Sequence, residues 1–185
     1  FIYGLNFFYL SYISMKHRNI SSMKKDINTS EALPLVTIQL PIYNELYVAE
    51  RLIKAATEIN YPSDKLEIQV LDDSTDKTVK LVSRQVHYYQ EQGINIVHLH
   101  RVHRDGFKAG ALAEGLEKAH GEYVAIFDAD FLPKPDFLEK TIDSFQDENV
   151  AFVQTRWGHT NRDFSLLTLL QSLSIDAHFM VEQFG

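Results

Sequence analysis

The 185-residue chain carries 18 Lys+Arg against 25 Asp+Glu, a formal net charge of -7, and it contains no cysteine. The acidic balance argues against a general nucleic-acid binder, because neutralising phosphates requires a basic face. The absence of cysteine excludes disulfides and thiolate metal sites. Hydrophobic residues make up 45% of the chain, which at this length predicts one domain with a sizeable core.

The N-terminal segment differs in composition from the rest of the chain. Residues 1–15 are uncharged and rich in aromatic side chains, and a basic cluster follows within residues 16–25. This order is typical of the cytoplasmic end of a transmembrane helix, although a core helix or a trimmed signal peptide is the alternative. We therefore expect a transmembrane end at 1–15, a cytoplasmic linker at 16–33, and a folded cytoplasmic domain at 34–185. The chain begins with Phe1, so we expect it to start inside a longer protein.

Strand-like and helix-like segments alternate from Leu35 onward. Short runs rich in β-branched residues predict strands at 35–41, 66–73, 94–100, 122–130 and 150–157. Helical periodicity predicts helices at 45–59, 75–92, 107–119, 136–146 and 163–181. The alternation predicts an α/β fold with right-handed βαβ units and a mainly parallel sheet with flanking helices.

Two local details of these helices are also predicted. Asn44 is the expected N-cap of the first helix, since asparagine favours that position. The third helix is expected to turn Ala109, Leu112, Leu116 and Ala119 toward the core, because these residues recur at helical spacing.

The polar residues gather where the predicted strands end. Asp72 and Asp73 end the second strand, Asp128 and Asp130 end the fourth, and Lys108 closes the loop after the third. Parallel sheets bind ligands at the carboxyl ends of their strands, so we expect these side chains to meet there. Residues two apart on a strand share a face, and Asp128 and Asp130 are therefore expected to point the same way.

These residue types suit a nucleotide diphosphate. Two carboxylates, from Asp128 and Asp130, suit a hard cation such as Mg²⁺ or Mn²⁺, and the metal would relieve the repulsion between them. Lys108 would supply a point charge for a diphosphate, and Asp73 would accept hydrogen bonds from a base or a ribose.

Each feature also has an ordinary structural explanation. An isolated Asp-x-Asp in a loop is usually solvated, the segment 72–76 would serve as a helix-capping cluster, and Lys108 would be a surface lysine. Trp157 is either a core anchor or a sugar-stacking platform. Arg104 is expected to be a loop residue rather than a catalyst.

Five motifs in order, "PIYNE", "LDDSTD", "HRDGFKAGAL", "FDADF" and "QTRWGH", resemble the inverting family 2 glycosyltransferases with the GT-A fold, a Rossmann-like architecture. The match runs from about Leu35 to the end of the chain, and it is most similar to the membrane-bound cellulose-synthase-like branch that includes plant mannan and glucan synthases. The resemblance implies that the protein moves a hexose, with inversion, from UDP-glucose or GDP-mannose to a growing β-linked polysaccharide. It also implies a divalent metal and an integral membrane protein with its catalytic domain in the cytoplasm.

The resemblance assigns roles only where the motifs match. It implies nucleotide-sugar binding by Tyr43, Glu45, Asp73, Lys108 and Asp128, with Tyr43 and Glu45 at the nucleobase, and metal binding by Asp128 and Asp130. The family's general-base aspartate is expected beyond Gly185. The segment 154–157, "QTRW", has one residue too few to be the acceptor-binding Q-x-x-R-W motif.

Other functions are weighed against this one. A related enzyme would transfer one sugar to a lipid such as ceramide or diacylglycerol. A receiver-like phospho-acceptor domain also combines an acidic pair with a lysine, but it places the pair after its first strand. A dinucleotide-dependent oxidoreductase is disfavoured, because no G-x-G-x-x-G follows the first strand.

Overall fold

The structure is a computed structural model that describes Tyr9 and residues 33–155, 158–159 and 161–184, with the backbone alone over 177–184. Two compact units are present, one spanning Asn28–Ala151 and the other Phe1–Ile27 with Phe152–Gly185. The predicted transmembrane end at 1–15 and the predicted linker at 16–33 lie almost entirely outside the described residues, and so does Trp157. Their boundaries, and that of the predicted 34–185 domain, stay predictions.

A parallel four-stranded sheet organises the unit Asn28–Ala151, in the order β3-β2-β1-β4. Its strands are β1 (Val36–Ile42), β2 (Leu66–Asp72), β3 (Ile96–His100) and β4 (Tyr123–Ile126). Its helices are α1 (Ala49–Thr57), α2 (Thr78–Glu91), α3 (Phe107–Glu117) and α4 (Phe137–Thr141), with 3-10 turns at Ser63–Lys65 and Ile142–Gln146. The predicted α/β class and parallel sheet are confirmed.

The other unit contains α5 (Leu166–Phe184), close to the predicted helix at 163–181. Across the part of the chain that the structure describes, no helix combines the length and the apolar character that crossing a membrane demands.

One face of the sheet carries the hydrophobic core. Ile38 and Leu40 of β1 alternate toward this face, in register with Ile68 and Val70 of β2, and all four are fully buried. They belong to one cluster with buried side chains of α1 and α2, namely Leu52, Ile53, Val82 and Val86. The period-two alternation of β1 and β2 therefore directs their aliphatic side chains under two helices.

The opposite face of the same strands carries a buried polar network. Thr37 Oγ1 donates to Glu67 Oε2 at 2.8 Å, and Gln39 Nε2 donates to Gln69 Oε1 at 3.0 Å. Burial opposes the ionisation of Glu67, but hydrogen bonds from the His120 amide and from Thr37 outweigh it and hold the pKa of Glu67 below its usual value. These strands are buried on both faces because their polar side chains satisfy one another.

Helix α3 packs closely on this polar face through small residues. Ala111 and Gly115 are its buried positions, whereas Leu116 is 58% exposed and Ala109 is exposed too. The predicted inward face of this helix is therefore wrong. Its sequence is apolar around most of its circumference, so periodicity does not select a face, and close approach to the sheet favours small side chains.

Two strand predictions need correction. Residues 150–155 form no strand and Phe152 is 78% exposed, while 156 and 157 lie outside the described residues. An alternating apolar segment forms a strand only where its backbone can hydrogen-bond to a neighbouring strand. Strand β4 ends at Ile126 rather than at 130, so Asp128 and Asp130 lie in a turn, closed by the Phe131 amide donating to the Asp128 carbonyl.

Pro41 lies inside β1 rather than at its end, paired with Leu71. The carbonyl of Gln39 accepts a hydrogen bond from the Phe127 amide, so the backbone groups of Gln39 point toward β4. Those of Pro41, two residues on, point the same way, but β4 has already ended there. A proline is tolerated there because no ladder partner requires its missing N–H.

Helix α1 begins at Ala49, and Val48 rather than Asn44 occupies its N-cap, without a side-chain hydrogen bond. The N-cap prediction is wrong because Asn44 has a left-handed backbone, with φ 56°, and its side chain bonds to another loop. Asparagine is among the residues that adopt this conformation at low cost.

Candidate functional site

The carboxyl ends of the strands surround a cleft of about 470 Å³. Segments that follow β1, β2, β3 and β4 contribute to its lining, together with the first turns of α3. All six site residues predicted from the sequence line it: Tyr43, Glu45, Asp73, Lys108, Asp128 and Asp130. The chain thus brings together residues up to 87 positions apart, as parallel-strand topology requires, while their individual roles stay predictions.

Asp73 is the most deeply placed acid of the cleft. It is 4% exposed, and Arg101 holds it with two hydrogen bonds of 2.7 Å, from Nε to Oδ1 and from the second guanidinium nitrogen to Oδ2. Paired, planar hydrogen bonds of this kind fix a carboxylate in orientation as well as in charge. A base or ribose that bonds to Asp73 would share these oxygens with Arg101.

A stacked pair forms the neighbouring part of the lining. The Arg104 guanidinium lies 3.5 Å from the centroid of the Tyr43 ring and 5.2 Å from that of Phe107. Arg104 Nε also lies 3.7 Å from Asp73 Oδ2. Arg104 lies in the loop after β3, as predicted, and from there it lines the cleft.

Lys108 and the Asp-x-Asp residues form the more open side. The Lys108 ammonium contacts Asp128 Oδ1, with side chains 49% and 44% exposed, respectively. Ala129 between the two aspartates is buried, whereas Asp130 is exposed. The buried alanine anchors the turn and leaves both carboxylates at the cleft.

The loops that end β1 and β2 are joined directly. The Asn44 amide donates to Ser74 Oγ at 2.8 Å, and the Thr75 amide donates to Asn44 Oδ1 at 2.9 Å. Asn44 therefore links the loop that carries Tyr43 to the loop that carries Asp73, a role that its capping preference does not suggest.

The start of α3 is tightly constrained around Lys108. Gly106 and Phe107 both have left-handed backbones, with φ 69° and φ 53°. A Cβ added at Gly110 would lie 1.9 Å from the Asp105 carbonyl oxygen. A left-handed backbone at an aromatic residue is strained, and such strain is typical of functional loops.

The donor set of the Asp-x-Asp turn fits a hard divalent cation. It offers carboxylate oxygens only, and Asp128 already accepts a cationic group, the Lys108 ammonium. Within the described ranges, the one group of three metal-ligating side chains lies elsewhere, at Asp72, His98 and His100. A cation at the turn would thus need water or ligand phosphates to complete its coordination, as is usual for Mg²⁺.

Sequence reasoning gave neither Arg101 nor Arg104 a role at the site. Arg101 and Arg104 follow β3, the strand whose carboxyl end borders that of β2. Their position at a strand end is the signal that would have identified them, since the same rule gathered Asp73, Lys108, Asp128 and Asp130.

Known proteins resemble this chain in sequence and in fold. The model of the family described as "Glycosyl transferase family 2" matches residues 37–182. The glucomannan 4-beta-mannosyltransferase 2 of Arabidopsis thaliana is 49% identical over 159 residues, covering 83% of this chain and 30% of the relative. The glucomannan 4-beta-mannosyltransferase 1 of Cyamopsis tetragonoloba is 42% identical over 170 residues, covering 89% and 32%. The chain spans about a third of the length of these relatives.

Among solved structures, the mannosyltransferase PcManGT from Pyrobaculum calidifontis, in complex with GDP-Man and Mn²⁺, superposes with a TM-score of 0.67 at 30% identity. The match covers 88% of this chain and 45% of that one. The Staphylococcus aureus TarS structure, with a TM-score of 0.53 at 22% identity, shares the fold.

These similarities decide against a receiver-like domain, because family and fold agree with one another and with the position of the cleft. The parallel sheet with flanking helices is that of the GT-A glycosyltransferases. The chain belongs to glycosyl transferase family 2.

Proposed function

We propose that this chain is the donor-binding part of an enzyme that moves mannose from GDP-mannose, with inversion, onto a growing β-linked glucomannan. The observation that carries the proposal is the convergence of Lys108, Asp128 and Asp130 at one cleft. The printed names of the relatives, and the GDP-Man bound to the structural neighbour, favour mannose and guanosine over UDP-glucose.

In this proposal each group of the cleft acts on one part of the donor. Asp128 and Asp130 would hold Mg²⁺ or Mn²⁺, which when bound supplies electrostatic stabilisation to the leaving diphosphate. Lys108 adds a second positive charge to that diphosphate. Tyr43, stacked with Arg104, borders the space for the base, and Asp73 accepts hydrogen bonds from the base or ribose.

The proton of the attacking hydroxyl needs a general base. Asp73 is held by Arg101, Asp128 is paired with Lys108, and Asp130 is assigned to the metal. We therefore assign the base to none of these three aspartates.

We also propose that the whole protein is an integral membrane protein with this domain in the cytoplasm and a glycan acceptor. The support is the uncharged aromatic segment 1–15 followed by basic residues. Protease protection of sealed vesicles tests the orientation. In sealed vesicles whose cytoplasmic face points outward, added protease should digest the domain. Digestion only after the vesicles are opened would contradict the proposed orientation.

A labelled-sugar assay on membranes from a host that expresses the whole protein tests the activity. GDP-[¹⁴C]mannose should label a polymer that endo-β-mannanase digests and β-glucanase does not, and labelling from UDP-[¹⁴C]glucose alone should be weaker. Label in the lipid extract rather than in polymer would support the ceramide or diacylglycerol alternative and overturn this proposal.

A further inference from the structure

A second cluster of metal-ligating side chains lies at the ends of β2 and β3. Asp72 Oδ2 is 2.8 Å from His98 Nε2 and 3.7 Å from His100 Nδ1. The ligand atoms of all three residues lie within 4.8 Å of one another. None of the roles proposed above for the cleft uses this cluster.

These distances approach those of a coordination sphere. Tetrahedral Zn²⁺ with bonds of about 2.0–2.1 Å places its ligand atoms roughly 3.4 Å apart. The two distances to Asp72 Oδ2 lie on either side of that value. The third separation, between the ligand atoms of His98 and His100, is at most 4.8 Å. Shortening it requires the His100 side chain, the most exposed of the three, to give up its 3.0 Å contact with the Asp72 carbonyl.

The acid of the cluster is fixed and fully buried. Asp72 is 0% exposed, and its other oxygen, Oδ1, accepts a hydrogen bond from the Ser74 amide at 2.9 Å. Burial opposes the ionisation of Asp72, but hydrogen bonds from His98 and Ser74 outweigh it and hold the pKa of Asp72 below its usual value. A buried carboxylate needs a charge partner, and a divalent cation would meet that need directly.

The cluster is separate from the Asp-x-Asp turn. His98 pairs with Val70 and His100 with Asp72, which places all three side chains on the sheet face that packs against α1 and α2. Helix α3, with Lys108, packs on the other face. The donor chemistry differs as well, because two imidazoles and one carboxylate select zinc-like metals, whereas carboxylates alone select Mg²⁺ or Mn²⁺.

We propose that Asp72, His98 and His100 form a binding site for a zinc-class transition metal, with water as the fourth ligand. Asp72 directly precedes Asp73, which lines the cleft, and His100 directly precedes Arg101, which holds Asp73. A metal bound here would link β2 to β3 next to the Asp73–Arg101 pair, and it would fix the distance between the strand ends that carry these two residues.

Calorimetric titration of the 185-residue chain with Zn²⁺, in saturating Mg²⁺ to occupy the Asp-x-Asp turn, tests the proposal. One equivalent of Zn²⁺ should bind. His98→Gln and His100→Asn should each weaken binding at least about 10–100-fold, the loss that follows removal of even a hydrogen-bonding partner of a metal ligand. His87→Gln removes a surface imidazole that is 73% exposed on α2, and it should bind Zn²⁺ like the unmodified chain.

Cobalt supplies a readout that needs no variant. Co²⁺ at a four-coordinate site of this kind should give intense visible absorption bands, which one equivalent of Zn²⁺ should abolish. Melting curves without metal establish that the variants are folded. The proposal would be overturned if the unmodified chain did not bind Zn²⁺, or if binding survived both histidine substitutions. Loss of Zn²⁺ binding in Asp130→Ala or His87→Gln would also overturn it, and so would weak Co²⁺ bands of the octahedral type.

Discussion

The cleft has two acidic sides that differ in how deeply their side chains are buried. On the side of Asp73 and Arg101, called here the closed wall, the side chains are 4% and 11% exposed and are joined by two hydrogen bonds. On the side of Lys108, Asp128 and Asp130, the open wall, the paired side chains are nearly half exposed. The closed wall is organised before any ligand arrives, whereas the open wall keeps charge accessible to water, metal and phosphate.

The difference follows from where each acid meets the sheet. Asp73 comes directly after β2, which is flanked by β1 and β3, and its amide still donates to the Ile42 carbonyl. Asp128 and Asp130 follow β4, an edge strand of this sheet, and lie in a turn. Acids after an inner strand are enclosed by their neighbours, and acids after an edge strand are not.

The largest expected effect is on stability, and it separates the walls. Asp73→Ala should lower the free energy of unfolding by about 3–5 kcal/mol, because Arg101 would be left as an uncompensated, largely buried charge. Asp128→Ala should change it by only about 0–1 kcal/mol, since exposed ion pairs contribute little. Urea denaturation measures both, and equal losses would show that the walls do not differ.

The next effect concerns ligand binding by the open wall. Lys108→Ala should weaken GDP or UDP binding by about 1.5–3 kcal/mol, the scale of a hydrogen bond to a charged group, and should barely change guanosine or uridine binding. Lys118→Ala is the matched control, because Lys118 follows the same helix and pairs with Glu114 instead. A uniform loss for nucleoside and nucleotide would mean that the substitution disturbs the fold.

The smallest effect concerns the hydrogen bond from the Thr75 amide to Asn44, which links the loop after β2 to the loop after β1. Asn44→Ala should cost about 1–2 kcal/mol of stability, from the lost bond to the Thr75 amide and from alanine in a left-handed backbone. Asn149→Ala is the comparison, since among the described residues Asn149 bonds only locally, to Asp147, and the change in stability should stay within about 0.5 kcal/mol. Thermal melts of both variants measure the difference. Indistinguishable melts would show that Asn44 does not stabilise the contact between the two loops.

The sequence predicts the open wall more completely than the closed one. Alternating strands and helices bring strand ends together, and that rule alone gathers Asp73, Lys108, Asp128 and Asp130. Arg101 also follows a strand end, but its pairing with Asp73 is not predicted, because the partner is 28 residues away and nothing in local spacing indicates a guanidinium–carboxylate pair. Such pairs depend on register between neighbouring strands, which only the folded chain defines.

Two further failures have different causes. The predicted strand at 150–157 has strand-like residues but no ladder partner over its described part. The predicted face of α3 is wrong because packing on the sheet selects Gly115 and Ala111, the small residues, over Leu116. Hydrophobic pattern identifies elements, and close packing then decides which side of an element is buried.

The central claim is that Asp128 and Asp130 hold the divalent metal that a nucleoside diphosphate needs, and calorimetry of GDP and UDP tests it most directly. The unmodified chain should bind in Mn²⁺ or Mg²⁺ and lose that binding in chelator. Asp130→Ala should bind equally weakly in both conditions, because the metal is no longer retained. Affinity of the unmodified chain that is the same with metal and with chelator would contradict the claim.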